Sequence, residues 1–368
     1  MRPMKIPYSY LSEQFADPAP ILEKIADLVR RGDYTLGQEV AEFEERFAQV
    51  IGTRFAVGVG SGTDALFLSL KAAGAGPGTE VITAANTFIA TAGAIAATGA
   101  RPVFVDVTDE YVLDPDRLED AITAQTSAIV PVHWAGVCAD MGRIADIARR
   151  HALPVVEDAC QAIGASLSGK RAGSFGLAGG FSLHPLKNLN VWGDGGIIVT
   201  DSEMVADRLR LLRNHGLADR DTAVCFGYNS RLDSLQAVVA LHLMDSLDWI
   251  TATRQKWAKR LDEALGEIPE IRVPRRRPDK EYVHHLYIVE ARDRDGLLAH
   301  LHKEGVDAKV HYPVPLHLQP FSMRLGYRKG DFPATESQAK KIITLPVHQH
   351  LSEEEVEYII RSVKSYYR

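Results

Sequence analysis

From Arg54 onward, short apolar runs alternate with stretches in which apolar residues recur at helical spacing. Phe55 to Val59 predicts a strand and Thr63 to Ala73 a helix. Glu80 to Thr83 predicts the next strand and Phe88 to Thr98 the next helix. Pro102 to Val105 and Ser127 to Val132 read as further strands, with a helix between them near Pro115 to Thr123. Asp140 to His151 reads as a helix leading into a buried strand, Pro154 to Glu157. Two helices precede the series, Pro18 to Arg31 and Gln38 to Ile51. In the second, Phe43 and Phe47 lie four apart on one face and need no explanation beyond core packing. This βαβα rhythm predicts a mostly parallel sheet covered by helices on both faces. Ligands of such sheets collect at the carboxyl ends of the strands.

The rhythm changes after Ser202. A helix over Ser202 to Asn214 is followed by a loop holding Phe226 to Arg231, then by a long helix from Asp233 to about Leu265. The rest predicts a small α+β unit with strands Tyr282 to Val289 and Lys309 to Tyr312. Its helices are Asp295 to Glu304, Pro333 to Lys341 and Glu353 to Tyr366. The expectation is therefore a large α/β domain over 1–245 and a small C-terminal α+β domain over 246–368.

Composition narrows the classes. With 46% hydrophobic and 24% charged residues, the 368-residue chain has the make-up of an ordinary globular protein. A net charge of −6 gives no electrostatic reason to expect nucleic acid or an anionic membrane as partner. Cys138, Cys160 and Cys225 form no CxxC pair and fit a reducing compartment. Thr83 to Ala100 is too weakly apolar to span a bilayer, and Met1 to Tyr10 lacks a signal-peptide core, so a cytoplasmic protein is expected. The histidine pairs His300/His302 and His348/His350 lack a third ligand nearby, so no metal is expected. The basic run Arg275-Arg276-Arg277 reads as a solvated loop.

Candidate chemistry centres on Lys187, in a glycine-rich segment from Gly179 to Gly196 and flanked by apolar residues rather than charges. Desolvation there favours a neutral, nucleophilic amine able to form a Schiff base. Taken alone, an ordinary surface lysine explains it as well. Three other stretches change the balance. Ser61, Gly62 and Thr63 end a strand and open a helix, where amides and hydroxyls suit a phosphate, although an N-cap has the same composition. Glu157 and Asp158 end a strand on opposite faces, so one carboxylate could meet a protonated ring nitrogen. Phe88 could lie against an aromatic ring. Together these are the parts of a pyridoxal 5'-phosphate site. A nicotinamide fingerprint is incomplete, because Thr63 replaces the third glycine of GxGxxG and no acid ends the next strand.

With these residues in view, the sequence resembles the DegT/DnrJ/EryC1/StrS sugar aminotransferases, whose fold is the type I aminotransferase fold. The resemblance runs from Leu36 to the last helix. It rests on Ser61 to Leu66, Asn86 to Thr91, Glu157 to Gln161, Phe181-Ser182 with Lys187 to Leu189, and Tyr228 to Asp233. It implies that Lys187 carries the cofactor and that Asp158 faces the ring nitrogen. Gln161 would meet the ring hydroxyl, Phe88 stack on the ring, and Ser61, Gly62, Thr63, Ser182 and Asn188 complete the cofactor site. Asn229 would reach the phosphate from a partner subunit, which implies a homodimer. His133, Arg231, Lys309, His311, Tyr312 and His317 are the expected substrate residues. The family's usual Tyr or Phe is His184 here, a small residue is Leu186, and a frequent Glu is Gly93, which bears on substrate preference.

The implied reaction takes an amino group from L-glutamate, passes through pyridoxamine 5'-phosphate, and delivers the amine to a nucleotide-linked keto sugar. Gly193 to Gly196 with His311 to Pro315 looks more like enzymes of 3-oxo than of 4-oxo sugars. Dehydratase relatives have histidine where Lys187 stands. A regulatory protein on this fold would be expected to have lost Lys187 or Asp158.

Overall fold

A computed structural model describes residues 4–368. Seven strands form the central sheet: β1 (Phe55–Val59), β2 (Glu80–Ala84), β3 (Arg101–Val105), β4 (Thr126–Val130), β5 (Val156–Asp158), β6 (Ala178–Ser182) and β7 (Gly196–Thr200). Their spatial order is β1-β7-β6-β5-β4-β2-β3, with parallel bridges Ile129 to Val155 and Val132 to Asp158 joining β4 to β5. Only β7 runs against the others. The sheet is thus mostly parallel and wrapped by helices, as the apolar runs predict.

A smaller antiparallel sheet follows, of β8 (Ile271–Arg272), β9 (Tyr287–Ala291) and β10 (Ile342–Leu345). Helices Leu247–Leu265, Arg294–Lys303 and Glu353–Tyr366 complete that half of the chain. Its core contains Trp257, Leu261, Tyr287, Val289, Ile343, Val356 and Ile359, together with Ile6 from the other end of the chain. Ile6 reaches it by a parallel bridge to Val306. No helix among the described residues is long and apolar enough to cross a membrane.

Four local expectations need correction. The helix expected over Asp233 to Leu265 is two helices, Ser234–Met244 and Leu247–Leu265, broken at Asp245-Ser246. The expected strand Lys309 to Tyr312 is reduced to one bridge, Lys309 to Thr344. The strand expected at Tyr282 begins only at Tyr287, because Asn188 and Gln255 bind the carbonyls of Val283 and Tyr282. Finally, Arg276 and Arg277 are not simply solvated. Arg276 pairs with Asp262 and lies over the Tyr282 and Tyr287 rings, and Arg277 pairs with Asp279.

The end of β5 fixes the site. Glu157 is fully buried and accepts hydrogen bonds from the amides of Gly173, Phe175 and Gly176 at 2.6–2.8 Å. It also meets His133 Nε2 at 2.8 Å. His133 Nδ1 accepts the Ala139 amide, so Nε2 carries the proton and donates to Glu157. With Glu157 so held, strand alternation turns Asp158 to the opposite face. Glu157→Ala strands four donors and should cost about 3–5 kcal/mol in urea unfolding. A loss below about 1 kcal/mol would show that these bonds do not hold the strand.

Candidate active site

The carboxyl ends of β2, β4, β5 and β6 open into one cavity of about 480 Å³. Ser61, Gly62, Thr63, Phe88, Asp158, Gln161, Ser182, Lys187, His311 and Tyr312 all line it. At its base, helix Gly62–Ala72 begins with Ser61 as N-cap, whose hydroxyl accepts the Asp64 amide at 3.1 Å. A Cβ on Gly62 would stand 2.5 Å from Ser182 Cβ, and one on Gly196 would stand 2.2 Å from the Ser61 carbonyl. Only glycine lets this helix end sit directly on β6 and β7. The helix's first turn and the hydroxyl-bearing Ser61, Thr63 and Ser182 therefore line the same end of the cavity, an arrangement that suits an anion.

Asp158 is 5% exposed. Its Oδ2 accepts the Thr91 hydroxyl at 2.7 Å, and its Oδ1 accepts the Cys160 amide at 3.2 Å. Across the cavity, burial holds the Lys187 amine below the ordinary lysine range, against the pull of Cys160 and Asp158. The Phe88 ring, half exposed at the mouth, tilts against Tyr312 with centroids 5.6 Å apart. Gln161 accepts the Ala135 amide at 2.7 Å and donates to the Tyr312 hydroxyl at 3.4 Å. Burial raises Tyr312 and so keeps its phenol protonated.

Six of the sequence-predicted residues lie elsewhere. Asn188 is buried behind the cavity, donating to the Val283 carbonyl and meeting His285 Nδ1. His133 is committed to Glu157. His317 is fully buried on Glu336 at 3.0 Å. Lys309 is paired with Asp307. Asn229 is exposed, and Arg231 bonds Asn214 Oδ1 at 3.1 Å. Both belong to a surface loop outside this chain's cavity. His133 and His317 were expected to face substrate, but both nitrogens of His133 are engaged, by Glu157 and the Ala139 amide, and His317 is buried on Glu336 outside the cavity wall.

Sequence reasoning missed Tyr8, Thr87, Thr91, Cys160, Asp194 and His285, all in the cavity wall. Thr91 carried a signal, since it stands one turn into the helix that Phe88 opens. Tyr8 and His285 carried none, because they reach the cavity from distant parts of the chain.

The residues fit pyridoxal phosphate. The glycine-lined helix end offers N–H and O–H donors, the buried carboxylate can face a protonated nitrogen, and the amine is free of any carboxylate partner among the described residues.

Known proteins agree with this reading. The sequence profile described as the DegT/DnrJ/EryC1/StrS aminotransferase family matches residues 17–364. A pleiotropic regulatory protein of Geobacillus stearothermophilus is 42% identical, covering 99% of each chain. The dTDP-3-amino-3,4,6-trideoxy-alpha-D-glucose transaminase of Streptomyces venezuelae is 41% identical over 93% of this chain and 90% of its own. Among solved structures, S. venezuelae DesV in complex with a ketimine intermediate superposes with a TM-score of 0.96 at 40% identity, covering 99% of each chain. NtdA from Bacillus subtilis with bound cofactor PMP gives 0.91 at 32% identity, covering 98% of this chain and 85% of that one.

Burial also pushes His311 down to about 4, with Lys187 and Lys309 adding to the effect. The unfolded chain takes up a proton near 6.5, so this group stabilises the fold above that pH. Its contribution is lost as pH falls from about 6.5 to about 4, by up to ~1.4 kcal/mol per pH unit. Urea midpoints should decline over that window, and less steeply for His311→Gln. Parallel curves for the two proteins would contradict the assignment. Given its profile match, its relatives and its fold, the chain belongs to the DegT/DnrJ/EryC1/StrS aminotransferase family.

Proposed function

We propose that this chain is a pyridoxal 5'-phosphate-dependent aminotransferase that moves an amino group from L-glutamate to a nucleotide-linked keto sugar, with preference for a 3-oxo sugar. The observation that carries the reading is one cavity holding a desolvated lysine amine, a buried carboxylate and a helix N-terminus. When bound, the cofactor supplies a carbonyl that condenses with amines and a ring that delocalises the electron pair left by proton removal.

Each residue has a part. Ser61, Gly62, Thr63 and Ser182 hold the phosphate with backbone and hydroxyl donors. Asp158, fixed by Thr91 and the Cys160 amide, would face the ring nitrogen. Phe88 would cover one ring face and Gln161 would meet the ring hydroxyl, since both line the cavity. Lys187, held below the ordinary lysine range, is poised to take a proton from the donor's α-carbon and to return one to the cofactor side. Tyr312 and Leu186 narrow the cavity around it and exclude water.

Glutamate as donor follows from the family resemblance. The 3-oxo preference rests on Gly193 to Gly196 and His311 to Pro315, and the Streptomyces relative is named for a 3-amino sugar. The Geobacillus relative is named for regulation. A purely regulatory role has less support, since Lys187 and Asp158 both remain. We also propose a cytoplasmic homodimer with domains dividing at 245/246. The fully exposed Phe226 and the Asn229–Arg231 loop would then reach a partner's cavity.

The test is a panel of 3-oxo and 4-oxo nucleotide sugars with glutamate, scored by mass. An amino sugar should form from a 3-oxo member. Lys187→Ala should abolish it, and Asp158→Asn should slow it by about a hundredfold or more. No product from any sugar would overturn the reading.

A further inference from the structure

Helix Leu247–Leu265 carries Arg254, a guanidinium 2% exposed whose hydrogen-bond partners are neutral oxygens. Its Nη1 donates to the carbonyls of His284 and Val347 at 3.1 and 3.0 Å, and its Nε donates to Gln349 Oε1 at 3.1 Å. Taking a cation out of water for neutral acceptors is costly. Following the bonds outward shows where it leads. Gln349 Nε2 donates to Gln14 Oε1, Gln14 Nε2 donates to Asn190 Oδ1 at 2.9 Å, and Asn190 Nδ2 donates to the Lys187 carbonyl at 2.9 Å.

The chain has a direction. Arginine can only donate and a backbone carbonyl can only accept, so the two ends dictate which way each of the three amides faces. Reversing any amide would set donor against donor and acceptor against acceptor. A second limb closes the loop. The Tyr10 ring lies 5.2 Å from the Arg254 guanidinium, and the Tyr10 hydroxyl donates to the same Lys187 carbonyl at 3.1 Å. Arg254, Gln349, Tyr10 and Asn190 are each at most 3% exposed, so water competes little for these bonds.

We propose that Arg254 is a positioning residue for Lys187, acting through Gln349, Gln14 and Asn190 on one side and Tyr10 on the other. The network joins the C-terminal half of the chain to the backbone beneath the amine, with the N-terminal segment as the link. It sets where the lysine side chain starts and therefore how deeply its amine is withdrawn from water. From the preceding reading it takes only that Lys187 is the reactive amine. Its test involves no transamination, so either can fail without the other.

Two readouts decide it, both on the full-length chain. One is amide hydrogen exchange over His184–Val191. The other, on protein freed of cofactor, is the pH midpoint for acetylation of Lys187 by acetic anhydride. Arg254→Met and Asn190→Ala should each speed exchange of that segment by about fivefold, the worth of one hydrogen bond. Each should also raise the Lys187 midpoint toward the ordinary value of 10.5, because a loosened loop admits water. The double variant should be little worse than the stronger single one. If Arg254→Met loosens only residues 283–285 and 347–349, leaving exchange and midpoint at Lys187 unchanged, the proposal is overturned. Should that variant not fold, Gln14→Leu breaks the chain midway at a partly exposed side chain and carries the same expectations. Unchanged values there overturn the proposal equally.

Discussion

Everything in the cavity depends on two neighbouring carboxylates at the end of β5 facing opposite ways. Glu157 is locked by one imidazole and three backbone amides, and a one-residue slip would trade it with Asp158. Because it cannot slip, Asp158 meets Thr91 on the other face. The same register pairs Asp158 with Gly180 of β6, two residues before Ser182, and Ser182 packs directly against Gly62. One buried acid thereby aligns the carboxylate, the serine and the helix N-terminus. The lysine loop is then placed by contacts from outside the sheet, at its own backbone carbonyl.

Division of labour between the two acids also explains the electrostatics. Glu157 is spent on structure, so its charge is met entirely by fixed donors. Asp158 has two donors and keeps a side facing the cavity. Burial holds His285 and His311 well below the ordinary histidine range, with Lys187 adding to both effects. Asp158 and Lys187 both line that one cavity.

Much of the central sheet was legible because a buried parallel sheet writes itself as short, mainly apolar runs, as in β1 to β4 and in Leu153 to Val156 leading into the two acids of β5. Strand β6 was not legible, since Gly179 and Gly180 carry no pattern. The reason lies in packing: a Cβ on Gly179 would stand 2.4 Å from Gly173 Cα, and one on Gly180 would crowd Ala65 and Leu66. Ser61 to Thr63, Phe88 and Asp158 could be picked out because each sits at a strand end or helix start, Lys187 as a lone amine among glycines and apolar residues, and Gln161 and Ser182 only through the family resemblance. Histidine was misleading. His133 and His317 look available in the sequence, but each is buried on a carboxylate that lies well along the chain from it, Glu157 and Glu336. Tyr8, Tyr10, Gln14 and Arg254 gave no local sign, since their roles arise only when both ends of the chain meet near Lys187.

The central claim is that the Lys187 amine, opposite Asp158, is where the cofactor attaches. Borohydride reduction of the pyridoxal phosphate-treated protein, followed by peptide mass mapping, tests it most directly. The account predicts one phosphopyridoxyl group, on the peptide containing Lys187, and none in Lys187→Ala. Labelling at another lysine, or no labelling at all, would contradict it.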